Sequence, residues 1–465
     1  MSSLNRREFL YRAAGVAGAA FTAARANAFA TPPPNIVMIL ADDLGYGDLG
    51  SFGSRIKTPN IDQMAKEGVT FRHFYSASPV CSASRAALLT GRYGVRGGIP
   101  NVLAPSDNNG LNVAETTMAD MLKASGYRTY CVGKWHLGSQ PQFMPTARGF
   151  DDYYGLLYSN DQTSELMSGT SVIELRTNQD TLTQRYTQQA VSFIQQNKDA
   201  PFFLYMPHLA PHVPLGVSKS FRGKSKLGLY GDVVEELDWS VGQILAALNT
   251  LGLDNNTLVM FTSDNGPWFQ GSPGKLRGRK GETFEGGMRE PFIARFPGRI
   301  PGDKQVHAFA TMLDILPTVG GLTGSTLPAN PLDGVDIWPM MIGEAESVDR
   351  PLFLYFNDWN LQCARMGRWK LHMSRYNGPA FLSPLSAGRV NLRLLNQELY
   401  DLDTDPQESY SAAAENPEIV ADIRSRTEIL LADLPVQVRG AWIDTQNRPV
   451  NPNNPGEWPT PASNN

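Results

Sequence analysis

The sequence predicts an α/β protein whose main body is a large, mostly parallel sheet between helices, followed by a smaller α+β domain with an antiparallel sheet. Three observations carry this. Short apolar runs, continuous rather than alternating, recur through the first part of the chain and read as strands buried on both faces. Segments with helical periodicity separate them, the pattern of a parallel sheet covered on both sides. After about residue 345 the character changes to short strands joined by turns.

The first strand is Asn35–Ala41, which opens after Pro32-Pro33-Pro34 and ends at Asp42-Asp43. Tyr127–Val132 leads into Gly133-Lys134-Trp135-His136, and Pro201–Met206 leads into a run holding His208 and His212. Thr257–Thr262 precedes Ser263-Asp264-Asn265-Gly266. Each is rich in Val, Ile, Phe or Tyr. Between them, Ala114–Ala124 places Met118, Met121 and Leu122 on one helical face and stops near Gly126. Gly231–Leu248 repeats Val234, Leu237, Val241, Ile244, Leu245 and Leu248 before Gly252. Ser84–Leu89 reads as the start of a further helix. Beyond residue 345, Pro351–Phe356, Trp369–Met373 and Glu398–Leu402 read as strands, and Pro417–Leu431 as a helix. The domain plan is therefore 1–30 as a targeting segment, 31–345 as the α/β domain and 346–465 as the smaller one.

The chain has 465 residues, 42% of them hydrophobic and 18% charged, enough for one large core and a satellite. Its net charge of −4 provides no global field for nucleic acid or anionic membrane, so any anion must be held locally. At the N-terminus, Arg6-Arg7 precede a small apolar run from Ala13 to Ala24, then Ala26-Asn27-Ala28 or Ala28-Phe29-Ala30 as a cleavage site. Paired arginines before a modest apolar stretch read as a twin-arginine export signal, which implies the export machinery as a partner and a periplasmic or extracellular location. The run is too short to span a bilayer, and no later stretch spans one.

The 3 cysteines, Cys81, Cys131 and Cys363, exclude a disulfide-stapled scaffold, and with no C-x-x-C pair they exclude a zinc ribbon or thioredoxin-like site. Cys131 sits in an apolar run and reads as a buried small residue. Cys81 differs: it precedes Arg85 and the predicted helix start. A helix N-terminus favours a thiolate or a bound anion.

The polar residues cluster at the carboxyl ends of the strand segments, where open α/β sheets bind ligands. Asp42, Asp43, Asp264 and Asn265 come from distant parts of the chain. Either pair alone is an ordinary strand-ending turn. Together, oxygen donors without thiolate suit a hard cation, calcium or magnesium.

The segment Cys81-Ser82-Ala83-Ser84-Arg85, continuing to Leu89-Thr90-Gly91-Arg92, resembles the signature of type I sulfatases, in which the cysteine is oxidised to formylglycine. Asp42-Asp43-Leu44-Gly45, Gly133-Lys134-Trp135-His136-Leu137-Gly138, Ser263-Asp264-Asn265-Gly266 and Lys280–Pro291 resemble the same pattern in the same order. Tyr158-Ser159-Asn160-Asp161-Gln162 is similar to the arylsulfatase A-like branch. Glu398-Leu399-Tyr400-Asp401-Leu402 with Asp405-Pro406 extends the likeness to the C-terminal part.

The resemblance implies an alkaline phosphatase-like fold and a sulfuric ester hydrolase. It implies calcium bound by Asp42, Asp43, Asp264 and Asn265, with formylglycine at position 81 completing the shell. It implies that Arg85 and Lys134 hold the hydrated aldehyde, and that Lys134, Lys280, Ser159 and His212 contact the sulfate. Asp264 then accepts the attacking hydroxyl's proton, His212 or Lys280 protonates the departing alcohol, and His136 is the base that expels sulfate. His208, beside His212, has a structural or a substrate-binding role. Ala83 stands where the commonest signature has proline, which points to a radical-type maturase as the transient partner.

Trp268 and Phe269, with Lys275, Arg277 and Arg279, offer ring faces and charge for a sulfated sugar or polysaccharide. Two other functions are weighed against this one. A phosphate or phosphonate monoester hydrolase of the same fold would lack the Tyr158–Gln162 and Gly133–His136 likenesses. A non-catalytic binder of sulfated glycans would follow if Cys81 were never oxidised.

Overall fold

A computed structural model of the chain describes residues 32–378 and 389–450. The predicted export signal and the last fifteen residues lie outside the described residues. The main sheet contains β1 (Asn35–Ala41), β2 (Val69–Tyr75), β3 (Arg128–Lys134), β4 (Asp152–Leu156), β5 (Leu166–Ser168) and β6 (Ser171–Glu174). It continues with β7 (Phe202–Pro207), β8 (Thr257–Ser263), β9 (Arg289–Arg295), β10 (Lys304–Val306) and β11 (Ala310–Thr311). The 11 strands run in the order β10-β2-β9-β8-β1-β7-β3-β4-β5-β6, with β11 also beside β2. The middle, β8-β1-β7-β3-β4, is parallel throughout, and β9 runs antiparallel to both β8 and β2.

β1 shows why a continuous apolar strand belongs at the centre. Ile36, Met38 and Leu40 enter one buried cluster and Val37, Ile39 and Ala41 the other, because successive side chains point to opposite faces. The helices divide accordingly. α1 (Pro59–Lys66) covers the second face, whereas α2 (Cys81–Thr90) and α3 (Met118–Ala124) cover the first. α4 (Leu182–Gln196) and α5 (Gly228–Thr250) join α1, and α6 (Ile315–Thr323) lies with α2 and α3. The helix expected from Ala114 starts only at Met118. There the Thr117 Oγ1 accepts the Asp120 N–H at 3.0 Å, and the Asp120 carboxylate accepts the Thr117 N–H at 2.9 Å, a capping box that fixes the first turn.

The C-terminal part holds a four-stranded antiparallel sheet, β12 (Phe353–Asn357), β13 (Asn360–Met366), β14 (Trp369–Tyr376) and β15 (Asn391–Asp401), in that order. α7 (Pro417–Leu431) and α8 (Val436–Asn447) pack on it through Ile423, Leu431 and Val438. These residues share one hydrophobic cluster with Tyr75 of β2 and Phe353 and Tyr355 of β12. The smaller sheet is thus fused to the main core, and its approach to the site runs through that seam. Among the described residues, no helix is long and apolar enough to cross a membrane. Cys81, Cys131 and Cys363 are all free and buried.

Candidate active site

Parallel strands end level with one another, and the site stands on that edge. Ala41 of β1 pairs with Ser263 of β8, so Asp42 and Asp264 leave the sheet side by side. Leu40 pairs with Pro207 of β7, and the Leu40 carbonyl takes the His208 N–H at 2.8 Å. Lys134 is the last residue of β3. Gly133 before it has φ +133°, and a Cβ there would run into the Pro207 carbonyl, so only glycine lets β3 close on β7 at this point. Asp43 and His136 both take left-handed backbone, φ 63° and 64°. Such conformations in non-glycine residues concentrate at functional sites.

Cys81 is the first residue of α2, which Gly91 ends in the left-handed conformation with its N–H on the Ala87 carbonyl. Every residue of α2 is buried. The expected thiolate does not follow. Burial pushes the Cys81 thiol above its ordinary value and outweighs the opposing pull of Lys134 and Lys280. At neutral pH it is a neutral, shielded thiol, poorly suited to act as the nucleophile itself.

Arg85, one turn further along α2, is fully buried and binds the acids from beneath. Its Nε donates to Asp264 Oδ2 at 2.9 Å, its Nη2 lies 2.8 Å from the same oxygen and 3.6 Å from Asp42, and its Nη1 donates to the Lys134 carbonyl at 2.8 Å. Removing one partner of such a buried pair costs about 3–5 kcal/mol. Lys134 Nζ donates to Asp42 Oδ2 at 2.6 Å, and Lys280 Nζ donates to Asp43 at 2.8 Å. Asn265 Nδ2 donates to Asp43 Oδ1 at 2.8 Å, and the Asp43 N–H reaches Asp264 Oδ1 at 3.2 Å. Asp42, Asp43, Asp264, Asn265, Arg85, Lys134 and Lys280 therefore form one connected cluster.

Within it the carboxylates are pushed apart. Burial raises the Asp264 carboxyl and the neighbouring Asp42 adds to it, so it titrates at about 7 despite Arg85 and Lys134. Burial acts on Asp42 in the same sense, but Lys134, His212 and Arg85 hold it well below the ordinary carboxylate range. Burial works against the charge of Lys280, yet Asp43, Cys81 and Asp42 keep its proton on more tightly than usual.

The histidines divide by their contacts. His212 Nδ1 lies 2.5 Å from the Val213 carbonyl, to which it must donate, and 3.2 Å from Asn160 Oδ1. Its Nε2 is then the bare nitrogen, 3.2 Å from Lys280 Nζ and 3.6 Å from Asp43. Burial and Lys280 lower its affinity for a second proton. His136 donates through Nε2 to the Leu103 carbonyl at 2.9 Å, leaving a buried Nδ1 with no partner. Burial, Lys134 and Arg85 keep it neutral. His208 faces the helical layer, with Nε2 3.3 Å from Ser240 Oγ on α5 and its ring beside Tyr186. Of its two expected roles, these contacts support the structural one.

Ser159 is buried in the turn beyond β4, where its carbonyl accepts the Gln162 and Thr163 N–H groups. Trp268 stands edge-on to Phe269 with ring centroids 5.0 Å apart, and Phe269 is exposed. The expectation that Arg277 and Arg279 meet further sulfates is revised. Arg279 Nη1 donates to the Trp268 and Gly271 carbonyls at 2.9 and 2.8 Å, bracing the aromatic loop. Arg277 donates to the Glu408 carbonyl at 2.9 Å and lies 4.0 Å over Phe284. Only Lys275 of the three basic residues stays exposed without such a tie in the loop.

Sequence reasoning missed Leu103 and Asn160. Leu103 ties its N–H to Ser82 Oγ at 3.1 Å while its carbonyl orients His136, a backbone role that no residue type announces. Asn160, by contrast, lies within a motif already singled out. It also missed Glu290, fully buried at the start of β9 with both carboxyl oxygens unpartnered. Burial and the nearby Asp264 and Asp43 push it well above its ordinary value.

A metal fits this cluster. Asp42 Oδ1 and Asn265 Oδ1 are buried oxygen acceptors with no hydrogen-bond partner, and ligand atoms of Asp42, Asp43 and His212 lie within 4.8 Å of one another. Buried acceptors left so call for a cation.

Residues 34–325 match the model of the family described as Sulfatase. The N-acetylgalactosamine-6-sulfatase of Canis lupus familiaris is 42% identical over 378 residues, covering 74% of this chain and 72% of its own. The arylsulfatase A of Homo sapiens is 38% identical over 454 residues, 87% of this chain and 89% of its own. Among solved structures, Ps i-CgsB in complex with k-i-k-neocarrahexaose is 31% identical with a TM-score of 0.75, covering 86% of this chain and 92% of its own. The PsFucS1 sulfatase from Pseudoalteromonas sp. is 27% identical with a TM-score of 0.78, over 88% and 91%.

Proposed function

The chain belongs to the sulfatase family and is a sulfuric ester hydrolase, and from that premise we propose that it removes sulfate from a sulfated carbohydrate with a formylglycine made from Cys81 and a bound calcium. The observation that carries the reading is the cluster itself, in which two lysines, an arginine and three aspartates meet at the buried start of α2. The carbohydrate rests on relatives whose names carry sugars, N-acetylgalactosamine-6-sulfatase at 42% identity and a structure in complex with k-i-k-neocarrahexaose at 31%. Trp268 and exposed Phe269 add ring faces beside the loop that carries Lys280.

Asp42, Asp43, Asp264 and Asn265 would hold the calcium, which when bound neutralises the sulfate's charge. A maturase that oxidises the Cys81 Cβ and removes its sulfur would leave an aldehyde, whose hydrate would supply one hydroxyl to attack sulfur and a second for release of the sulfate. Arg85 and Lys134 orient that group. Asp264, which leaves the sheet beside Asp42 and holds Arg85, would take the attacking hydroxyl's proton. Lys134, Lys280 and Ser159 grip the sulfate oxygens as charge spreads over them. His212 gives its one proton to the Val213 carbonyl, so the proton for the leaving alcohol comes from Lys280, directly or across His212 Nε2. His136, with its bare Nδ1, accepts the proton of the second hydroxyl and restores the aldehyde.

The paired arginines Arg6-Arg7 ahead of a short apolar run support a location outside the cytoplasm, and in this reading a maturase acts on Cys81 before catalysis. The test is sulfate release from a panel of sulfated sugars and aryl sulfates, using protein whose formylglycine is confirmed by peptide mass. Faster cleavage of phosphate or phosphonate esters, or no sulfate released from any sugar, overturns the reading.

A further inference from the structure

The C-terminal likeness at Glu398–Leu402 and Asp405-Pro406 has no part in the chemistry above, yet it ends in a buried charge. Asp405 accepts the N–H groups of Ser409 and Tyr410 at 2.7 and 2.9 Å, and its own carbonyl takes the Glu408 N–H at 3.1 Å. This closes a turn that holds Glu408 in left-handed backbone, φ 54°, with its side chain fully buried. There the Glu408 carboxylate accepts His372 Nε2 at 2.7 Å, Lys370 Nζ at 3.0 Å and the backbone N–H of Glu285 at 2.6 Å.

Glu285 completes the arrangement. Its carboxylate takes Lys370 Nζ at 3.1 Å and the Tyr75 hydroxyl at 2.5 Å, with Arg289 3.8 Å away. Arg365 lies over the Tyr75 ring at 4.8 Å, and Arg375 approaches His372 Nδ1 at 3.5 Å. Glu285, Glu408, Lys370, His372 and Tyr75 are essentially without solvent exposure. Buried charges of this kind are costly unless every partner is present, and they fix one geometry when it is.

What they fix is the segment that carries Lys280. Its two ends are tied to the C-terminal part: Arg277 donates to the Glu408 carbonyl, and the Glu285 N–H donates to the Glu408 carboxylate. Between them, Asn357 Nδ2 holds the Gly281 carbonyl at 2.8 Å and Thr283 Oγ1 donates to Gln362 at 2.9 Å. On the catalytic side the same segment binds the Pro79 carbonyl through the Gly281 N–H at 2.8 Å, two residues before Cys81. Lys280 therefore reaches Asp43 and His212 from a strap whose far side is anchored by Glu408.

We infer that Glu408 is a positioning residue for Lys280, acting through the Arg277–Glu285 strap to hold the ammonium where it meets the sulfate. The inference rests on the sulfatase reading, in which Lys280 grips sulfate oxygens. Glu408 never touches substrate. Its effect passes through the geometry of the strap, so it must vanish once Lys280 is gone.

The experiment measures binding of inorganic sulfate by calorimetry, alongside turnover of an aryl sulfate, in the parent enzyme and in Glu408→Gln, Lys280→Ala and the double variant. Glu408→Gln keeps the side chain's shape and one acceptor but removes its charge. Sulfate affinity is expected to fall about tenfold in Glu408→Gln, with thermal unfolding still cooperative, and by less than twofold more when Glu408→Gln is added to Lys280→Ala. A purely structural role would make the two losses multiply, and that result, or parent affinity in folded Glu408→Gln, overturns the inference. If Glu408→Gln does not fold, Asn357→Ala loosens the same strap at Gly281 and must show the same coupling to Lys280 at about a threefold loss. Failure of the sulfatase reading looks different: the parent, with formylglycine confirmed, then turns over no sulfate ester at all.

Discussion

In the proposed site, calcium and a proton compete for the Asp264 carboxylate, and this sets a pH dependence. In the folded, metal-free protein Asp264 titrates at about 7, against 3.8 ordinarily, because it is buried beside Asp42. Its folded value is the raised one. The folded state therefore holds an extra proton between about 4 and 7, and its stability falls as pH rises through that window and is level above it. Between pH 5.5 and 8 the loss amounts to about 2 kcal/mol. Calcium needs the ionised carboxylate, so its affinity must rise over the same interval by about 30-fold, the same free energy seen from the other side.

The assay is calcium titration of chelator-stripped protein, by calorimetry and by thermal melts, at pH 5.5, 6.5, 7 and 8. Half-buried His73 and buried His136, His208 and His212 have the opposite slope at the acid end, since desolvation lowers each of them. Asp264→Asn in the same buffers separates the contributions: it should lose the Asp264 part of the metal-free slope and bind calcium weakly at every pH. Calcium affinity constant within threefold from pH 5.5 to 8, or an unchanged metal-free slope in Asp264→Asn, would refute the reasoning.

Peptide mass spectrometry of the segment holding Cys81 should show an aldehyde-bearing form in active protein, and Cys81→Ala should abolish turnover; full activity with only unmodified cysteine contradicts this. His136→Ala should accumulate a sulfated residue 81, because it lacks the unpartnered Nδ1 proposed as the acceptor of the second hydroxyl's proton; slow first attack with nothing trapped would reassign it. His212→Ala and Lys280→Ala should both lose most on esters with poor leaving groups, by about 10²–10⁴-fold if the proton passes between them, and an equal loss on good and poor leaving groups would place the proton donor elsewhere. Trp268→Ala should impair sulfated oligosaccharides several-fold more than a chromogenic aryl sulfate, and a neutral effect on both would end the sugar-stacking reading while leaving the sulfatase intact.

The elements legible in the sequence are those whose burial is uniform. β1, β7 and β8 are buried from end to end around a continuous apolar run because both faces are covered, and each leads into the polar residues that mark the site. β2 and β9 went unread because they carry Arg72, His73, Arg289, Glu290 and Arg295 among their apolar residues. Those charges are tolerated by partners far away in sequence: Arg295 with Asp254 and Glu67, Arg289 with the Arg72 carbonyl. α4 escaped because its polar Gln and Thr residues dilute the apolar face that Leu182, Tyr186, Ala190 and Ile194 present. The site residues were found by motif, but their partition was not. That Arg277 serves Glu408 and Arg279 the aromatic loop depends on carbonyl positions, which a sequence does not display.

The two carboxylates after β1 and β8 show how one cluster can assign two roles to one residue type. Asp42 and Asp264 share Arg85, stand level on adjacent strands and are equally buried. They differ in what else they touch. Asp42 also holds Lys134 at 2.6 Å, so two cations answer one carboxylate and it stays ionised at any working pH. Asp264 pairs directly with Arg85, already shared, and feels Lys134 less than Arg85, with its other oxygen on the Asp43 N–H and Asp42's charge beside it. Environments that drive a pair apart in this way separate the permanent anion from the group able to receive a proton. The direction of the two shifts therefore supports Asp264 as the base toward the nucleophile and Asp42 as the fixed counter-charge. Exchanging their partners should exchange their behaviour. Lys134→Met removes the second cation from Asp42 and lowers the attraction that separates the pair. Both carboxylates should then titrate closer together, and the acid limb of the rate profile should broaden into two steps rather than shift as one. A rigid shift of a single limb in Lys134→Met would show that Asp42 does not set the proton affinity of Asp264.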